Sequence, residues 1–152
     1  MTNEELKTSI PTLLASGVIE DGSDFLTINV EATDWLSFAK QLRNDASLQF
    51  NFLFCLTCVD WKTHLTMVYH LRSTILRHEI VVKAKLDRTN PEIETVSHIW
   101  RTAEFHEREV YEMFGVKFLN HPDLRLLILP DGWEGKKPML KDFEDPINMI
   151  RL

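Results

Sequence analysis

Between Phe50 and Leu86 the chain reads FNFLFCLTCVDW, then KT, then HLTMVYHL, then RST, then ILRHEIVVKAKL. Leu65, Met67, Tyr69 and Leu71 alternate with polar or smaller residues, and Ile80, Val82, Ala84 and Leu86 alternate against Lys83 and Lys85, the period-two pattern of half-buried strands. The first run is apolar at both alternating sets of positions, which predicts a central strand covered on both sides. Two residues between the first two runs force a hairpin, and three strands with short connections imply an antiparallel meander. A sheet of this kind needs helices over its apolar face, and the flanking sequence supplies them.

Asn3 to Ala15 reads as a short helix with Leu6, Ile10, Leu13 and Leu14 on one face, limited by Pro11 and stopped by Gly17. Phe25 to Val30 reads as a strand. Thr33 or Asp34 then caps a helix in which Trp35, Leu36, Ala39 and Leu42 recur at helical spacing. A longer helix is predicted from about Glu94 to Phe114, with Val96, Ile99, Trp100, Ala103, Val110, Met113 and Phe114 as its apolar stripe and Gly115 at its left-handed stop. VKF and LRLLIL read as further short strands. The expected fold class is α+β: a two-layer domain with a mixed, mainly antiparallel sheet packed against helices, over residues 1–118.

Residues 119–152 form an extended tail in this reading. Pro122, Pro130, Pro138 and Pro146 fall eight apart and preclude one long helix, while Gly132 and Gly135 resist regular structure. Trp133, Met139, Leu140 and Phe143 are nevertheless large and apolar, unlike a disordered tail. They need a surface to bury against.

The bulk composition excludes several classes. At 152 residues, with 44% hydrophobic and 26% charged residues, the chain can build one core without disulfides or metals. A net charge of −6 and the absence of any basic run argue against a nucleic-acid partner. The acidic, polar start does not read as a secretory signal, and apolar runs of about five residues fall far short of the ~20 that span a bilayer. A cytoplasmic protein, or one peripheral to a membrane through another subunit, is expected.

Motifs for chemistry are sparse. Cys55 and Cys58 match C-x-x-C, but on a strand residues three apart face opposite sides roughly 10 Å apart, beyond the ~7 Å a disulfide tolerates; they read as buried core thiols. The six histidines contain no H-E-x-x-H pair, and His98, His106 and Glu109 make a weak metal constellation. No dinucleotide fingerprint, P-loop or nucleophile elbow occurs. Neither catalytic, cofactor-binding nor metal-binding residues are expected in this chain. One charged cluster does stand out: Arg108 has Glu104 and Glu112 four residues to either side, so both carboxylates are expected to bracket its guanidinium on one helix face.

EREVYEMFGVKFLNHPDLRLLILPDGWEGKKPMLKDF, from Glu107 to Phe143, resembles the signature of the 30 kDa (C-type) subunit of respiratory complex I, the proton-pumping NADH:quinone oxidoreductase. The resemblance rests on Glu107, Arg108, Glu109, Glu112, Met113, Phe114 and Gly115, followed by His121, Pro122, Asp123, Leu124 and Arg125. Glu112 stands where the family usually has aspartate, Asn120 where it has glycine, Leu126 where arginine is common, and the tryptophan-containing tail motif is one residue longer. The resemblance implies a hydrophilic subunit without bound cofactor, peripheral on the cytoplasmic side of the inner membrane. Iron–sulfur clusters, FMN and quinone would be held by other subunits.

Its implied partners are the quinone-site subunit of the 49 kDa (D) type and the B- and I-type iron–sulfur subunits, with membrane contact only through the complex. The implied interface comprises Glu107, Arg108, Glu109, Tyr111, Glu112, Phe114, Gly115, His121, Pro122, Asp123 and Arg125, with Trp133, Met139, Leu140 and Phe143 of the tail buried against the neighbour. Related modules occur in membrane-bound hydrogenases and ferredoxin-linked complexes, so the electron donor is open. A free-standing binding module whose tail closes over its own sheet is the further alternative.

Overall fold

The computed structural model describes residues 3–10, 17–20 and 24–149. Helix α1 (Asn3–Ser9) is followed by strands β1 (Val18–Glu20) and β2 (Thr27–Glu31), helix α2 (Trp35–Asn44), and strands β3 (Phe52–Asp60), β4 (His64–Arg72) and β5 (Glu79–Asp87). Short strand β6 (Glu92–Glu94), helix α3 (Ala103–Phe114) and strand β7 (Lys117–Leu119) complete the regular elements among the described residues. The expected continuation of the first helix past Pro11 lies outside the described residues.

The β3–β4–β5 meander forms as expected, with Asp60 opposite Leu65 at the first hairpin and β4 in unbroken register on β5 from His64–Asp87 to Arg72–Glu79. β5 then pairs in parallel with β2, giving a five-stranded mixed sheet in the order β1-β2-β5-β4-β3. One face is the core. Leu53, Leu56, Leu65, Met67, Tyr69, Leu71, Ile80, Val82, Ala84, Ile28 and Val30 meet Trp35, Phe38, Ala39 and Leu42 of α2 and Ala103, Val110 and Phe114 of α3 in one cluster. Trp35 sits centrally, its ring 4.3 Å from that of Tyr69 and 6.3 Å from that of Trp100.

The structure departs from the sequence reading in three places. β3 is an edge strand, with Phe52 and Phe54 exposed. A register shift between Leu53 and Cys55 turns Phe54 and Cys55 outward together, so the doubly apolar pattern reflects a bulge and an open aromatic face rather than double coverage. Its free edge is partly closed by side chains: Trp100 Nε1 donates to the Phe50 carbonyl at 2.8 Å and Thr102 Oγ1 to that of Leu53 at 2.7 Å. Cys55 is only half-buried, while Cys58 lies in the core, where burial raises its thiol pKa to about 12.

The long helix is also shorter than its apolar stripe. Residues 92–94 pair in parallel with β7, and the chain turns at Val96, whose carbonyl accepts the N–H groups of Ile99 and Trp100, before α3 starts at Ala103. His98 therefore lies on this turn and not on the helix with His106. LRLLIL forms no strand: from Leu124 onward the described tail runs through bends and turns.

Candidate docking surface

The charged residues of α3 face three ways. Glu107 points into the core with no exposed surface; its carboxylate accepts the Val96 N–H at 2.9 Å and the Thr95 hydroxyl. Burial pushes its pKa up to about 7, against the lowering effect of those two hydrogen bonds. His121, whose side chain is fully buried, lies 3.6 Å away. Its Nδ1 accepts the Asp123 N–H at 3.0 Å, so its Nε2 carries the proton and donates to the Glu104 carbonyl at 3.0 Å. The imidazole thereby pins the first turn after β7 to the helix.

Arg108 and Glu112 hold the next stretch of chain. Sequence spacing predicts one guanidinium between two carboxylates. Instead Arg108 donates from Nε to the Arg125 carbonyl at 3.1 Å and from Nη2 to the Leu126 carbonyl at 2.6 Å. Glu112 accepts the consecutive N–H groups of Leu127, Ile128 and Leu129 at 2.9, 2.9 and 3.2 Å. Both side chains are buried, and each charge meets backbone dipoles of a loop that has no secondary structure to satisfy them. The spacing correctly puts Arg108 and Glu112 on neighbouring positions but cannot supply the loop.

Further on, the strap returns across the domain. Met139 N–H donates to the Met113 carbonyl at 3.0 Å, and the Lys137 side chain crosses α3 at Gly115, where an added Cβ would collide with Lys137 Cε. Gly115 has φ +78°, the left-handed stop expected from the sequence. Asp60, buried at the end of β3, accepts the Lys141 N–H at 2.9 Å, the Lys62 N–H at 2.8 Å and both Nε and Nη2 of Arg88 at 2.9 Å. Arg88 also reaches Asp142, and it holds the Asp60 carboxyl well below the usual carboxylate range. Asp60, Arg88 and Asp142 have no signature in the sequence, because nothing in spacing links residues so far apart.

The remaining expected interface residues divide by exposure. Glu109, Pro122 and Arg125 are exposed, Tyr111 and Asp123 half-buried, and Phe114 nearly buried; Asp123 pairs with Arg125 at 2.9 Å. In the tail, Trp133 and Phe143 are half-buried against each other with ring centroids 6.5 Å apart, and Lys136 Nζ lies 4.2 Å over the Trp133 ring. Leu140 packs on the domain's own core, whereas Met139 is exposed. Apolar residues absent from the expected set also face outward: Phe105, Leu127 and Ile128. Among the described residues no group of three or more His, Cys, Asp or Glu side chains is placed to hold a metal ion, and no helix is long and apolar enough to cross a membrane.

Residues 28–146 match the family model described as respiratory-chain NADH dehydrogenase, 30 Kd subunit. The chain belongs to this family. It is 37% identical over 142 residues to the C subunit of NADH-quinone oxidoreductase from Moorella thermoacetica, covering 92% of this chain and 91% of that one. It is 45% identical over 104 residues to the C/D subunit of the same enzyme from Phocaeicola vulgatus, covering 67% of this chain but 20% of the relative. The chain thus spans only a fraction of some relatives, including half of the C subunit from Chloroherpeton thalassium.

Among solved structures it resembles a chain of the membrane-bound sulfane sulfur reductase, an archaeal respiratory membrane complex, with a TM-score of 0.81 at 27% identity over 95% of this chain and 86% of that one. The trypsin-resistant fragment (1–134) of Nqo5 matches at a TM-score of 0.68 and 26% identity, over 82% of this chain and all of the fragment. The α+β architecture read from the sequence is that of the family.

Proposed function

We propose that this chain is a non-catalytic structural and assembly subunit of the peripheral arm of a proton-translocating NADH:quinone oxidoreductase. In that role it docks on a D-type, quinone-site subunit and, through it, supports electron transfer from NADH by iron–sulfur clusters to quinone. The observation that carries the reading is the family match across residues 28–146, joined to the C/D relatives, whose name combines the two subunits in one polypeptide. Covalent joining raises the effective concentration of two modules that act together. The arrangement of α3 supports it, since its signature charges organise the chain's own tail.

In this reading iron–sulfur clusters, FMN and quinone reside in neighbouring subunits. B- and I-type iron–sulfur subunits flank the same arm, on the cytoplasmic side of the inner membrane, and Trp133, Met139, Leu140 and Phe143 contribute to the contact with the D-type neighbour. A second reading has a specific observation behind it. The C subunit of F(420)H(2) dehydrogenase from Methanosarcina mazei is 42% identical over 100 residues, in a complex named for another electron donor, and the sulfane sulfur reductase chain shares the fold in a complex named for another electron acceptor.

Affinity capture of the tagged full-length chain from its native membranes in mild detergent tests both. A large iron–sulfur assembly containing a D-type subunit is expected, and its donor-side subunits distinguish NADH from other donors. A chain recovered alone and monomeric overturns the assembly role.

A further inference from the structure

The family signature contains two charged residues, Arg108 and Glu112, that look like partner contacts and yet are almost wholly buried. Between them they take up one backbone group from each of five consecutive residues: the carbonyls of Arg125 and Leu126 and the N–H groups of Leu127, Ile128 and Leu129. A loop whose polar backbone is satisfied from the inside turns side chains outward, and here Leu127 and Ile128 are 39% and 61% exposed. Phe105, 56% exposed on α3, lies with its ring 5.7 Å from the Arg108 guanidinium carbon, so the same arginine supports both the loop and the aromatic beside it. Arg108 thus links Phe105 to the loop, and Glu112 holds the backbone of Leu127 and Ile128, with exposed Glu109 on the same helix.

We propose that Phe105, Leu127 and Ile128 form a preformed apolar contact surface for the D-type subunit, and that Arg108 and Glu112 are positioning residues that hold it rigid without touching the partner. This rests on the docking role above and deepens it: the contact made beside α3 lies outside the tail's Trp133–Phe143 segment. The physical case is one of ordering. An exposed loop normally loses conformational freedom on binding, with a cost for every side chain and backbone segment immobilised, whereas this one is already tied at five points. Apolar groups already held in a fixed frame lose less freedom on docking, so more of their burial appears as affinity. The D-type subunit is the occupant because relatives carry it in the same polypeptide as this module, and a tethered partner meets the surface next to the tail at high effective concentration.

The test uses the full-length chain and the purified D-type subunit encoded by the same source, with binding measured by sedimentation or titration. Replacing Phe105, Leu127 and Ile128 together by Ser is expected to weaken binding by roughly 30-fold or more, with only a small fall in melting temperature from their partly buried area and with the amide exchange of residues 127–129 unchanged. A loss under about tenfold overturns the surface. Glu112→Gln is expected to speed exchange of those three amides by about tenfold or more and to weaken binding; faster exchange with unaltered affinity overturns the positioning role. Should the triple Ser variant instead dissolve a dimer of this chain, the surface joins two copies and the proposal falls. Failure of the unaltered chain to bind the D-type subunit at all counts against the docking role itself, which separates the two readings.

Discussion

Glu107→Gln should make the protein more stable above neutral pH, although it removes a charge from the most distinctive stretch of the sequence. The carboxyl is fully buried on α3, with Thr95 and Val96 as hydrogen-bond donors; Arg108, the nearest cation in sequence, is turned to the tail carbonyls. The neighbouring His121 ring already commits its two nitrogens to the Glu104 carbonyl and the Asp123 N–H. The folded pKa of Glu107 is about 7 against a reference of 4.5. A raised acid binds more protons folded than unfolded, so its stabilising contribution is complete below pH 4.5, is lost as pH rises towards 7, and stays lost above. At 1.36 kcal/mol per pKa unit the full swing is about 3 kcal/mol.

Glutamine keeps both bonds, its carbonyl accepting from Val96 N–H and its amide donating to the Thr95 oxygen, and it cannot ionise. Urea midpoints measured from about pH 4.5 to about 8.5 should therefore separate the two proteins progressively. They should coincide at the acid end and differ by about 3 kcal/mol, or roughly 6–12 °C in melting temperature, at the alkaline end. Titrating groups remote from Glu107 act equally in both and cancel in the difference. Parallel profiles across the whole range would show that Glu107 gains a compensating partner on ionising and that the burial argument is wrong.

Gly115→Ala should cost about 1–2 kcal/mol, because a Cβ at φ +78° is strained. Thermal melts of the double variant with Lys137→Ala should recover only the steric part, since Lys137 Cε is what the new methyl meets. Asp60→Asn should lower stability at pH 7 and flatten its fall in acid: the Asp60 carboxylate, held down by Arg88, contributes stability above its unfolded pKa of 3.8 that is lost at lower pH. Acid titration followed by circular dichroism reads this directly, and an unchanged acid limb would contradict it. Trp100→Phe should cost about 1–3 kcal/mol in urea unfolding by leaving the buried Phe50 carbonyl without its donor.

Legibility follows the range of the interactions. The meander is plain because alternation and a two-residue hairpin act locally, and Gly115 is plain because a left-handed helix end has one cheap residue. The edge position of β3 is hidden because an apolar residue facing open solvent and one facing a second layer look alike in a string of letters. The bulge at Leu53 and Cys55 further disguises which set faces inward. The start of α3 is hidden because Val96, Ile99 and Trp100 keep helical spacing while Glu107, eleven residues after Val96, draws its backbone N–H into a turn. At the candidate site the sequence marks the charged positions and conceals what they hold, since the partners of Arg108 and Glu112 are main-chain groups that carry no residue identity. Phe105, Leu127 and Ile128 are invisible as a set for the same reason: what relates them is the hold of Arg108 and Glu112 on loop backbone.

The four contacts on Asp60 come from positions 62, 88 and 141, and this spread has a consequence for synthesis. Translation at ~5–20 residues per second reaches Lys141 some seconds after Arg88 has been made. During that interval the sheet can close while the carboxylate still lacks its last donor, and the underside of α3 still lacks the loop that Glu112 binds. The nascent domain therefore passes through a stage in which its regular structure is complete but its buried charges are not. A ribosome stalled so that β7 has emerged but Leu127 to Lys141 have not would hold a subunit that looks finished by circular dichroism and remains open to proteases and chaperones.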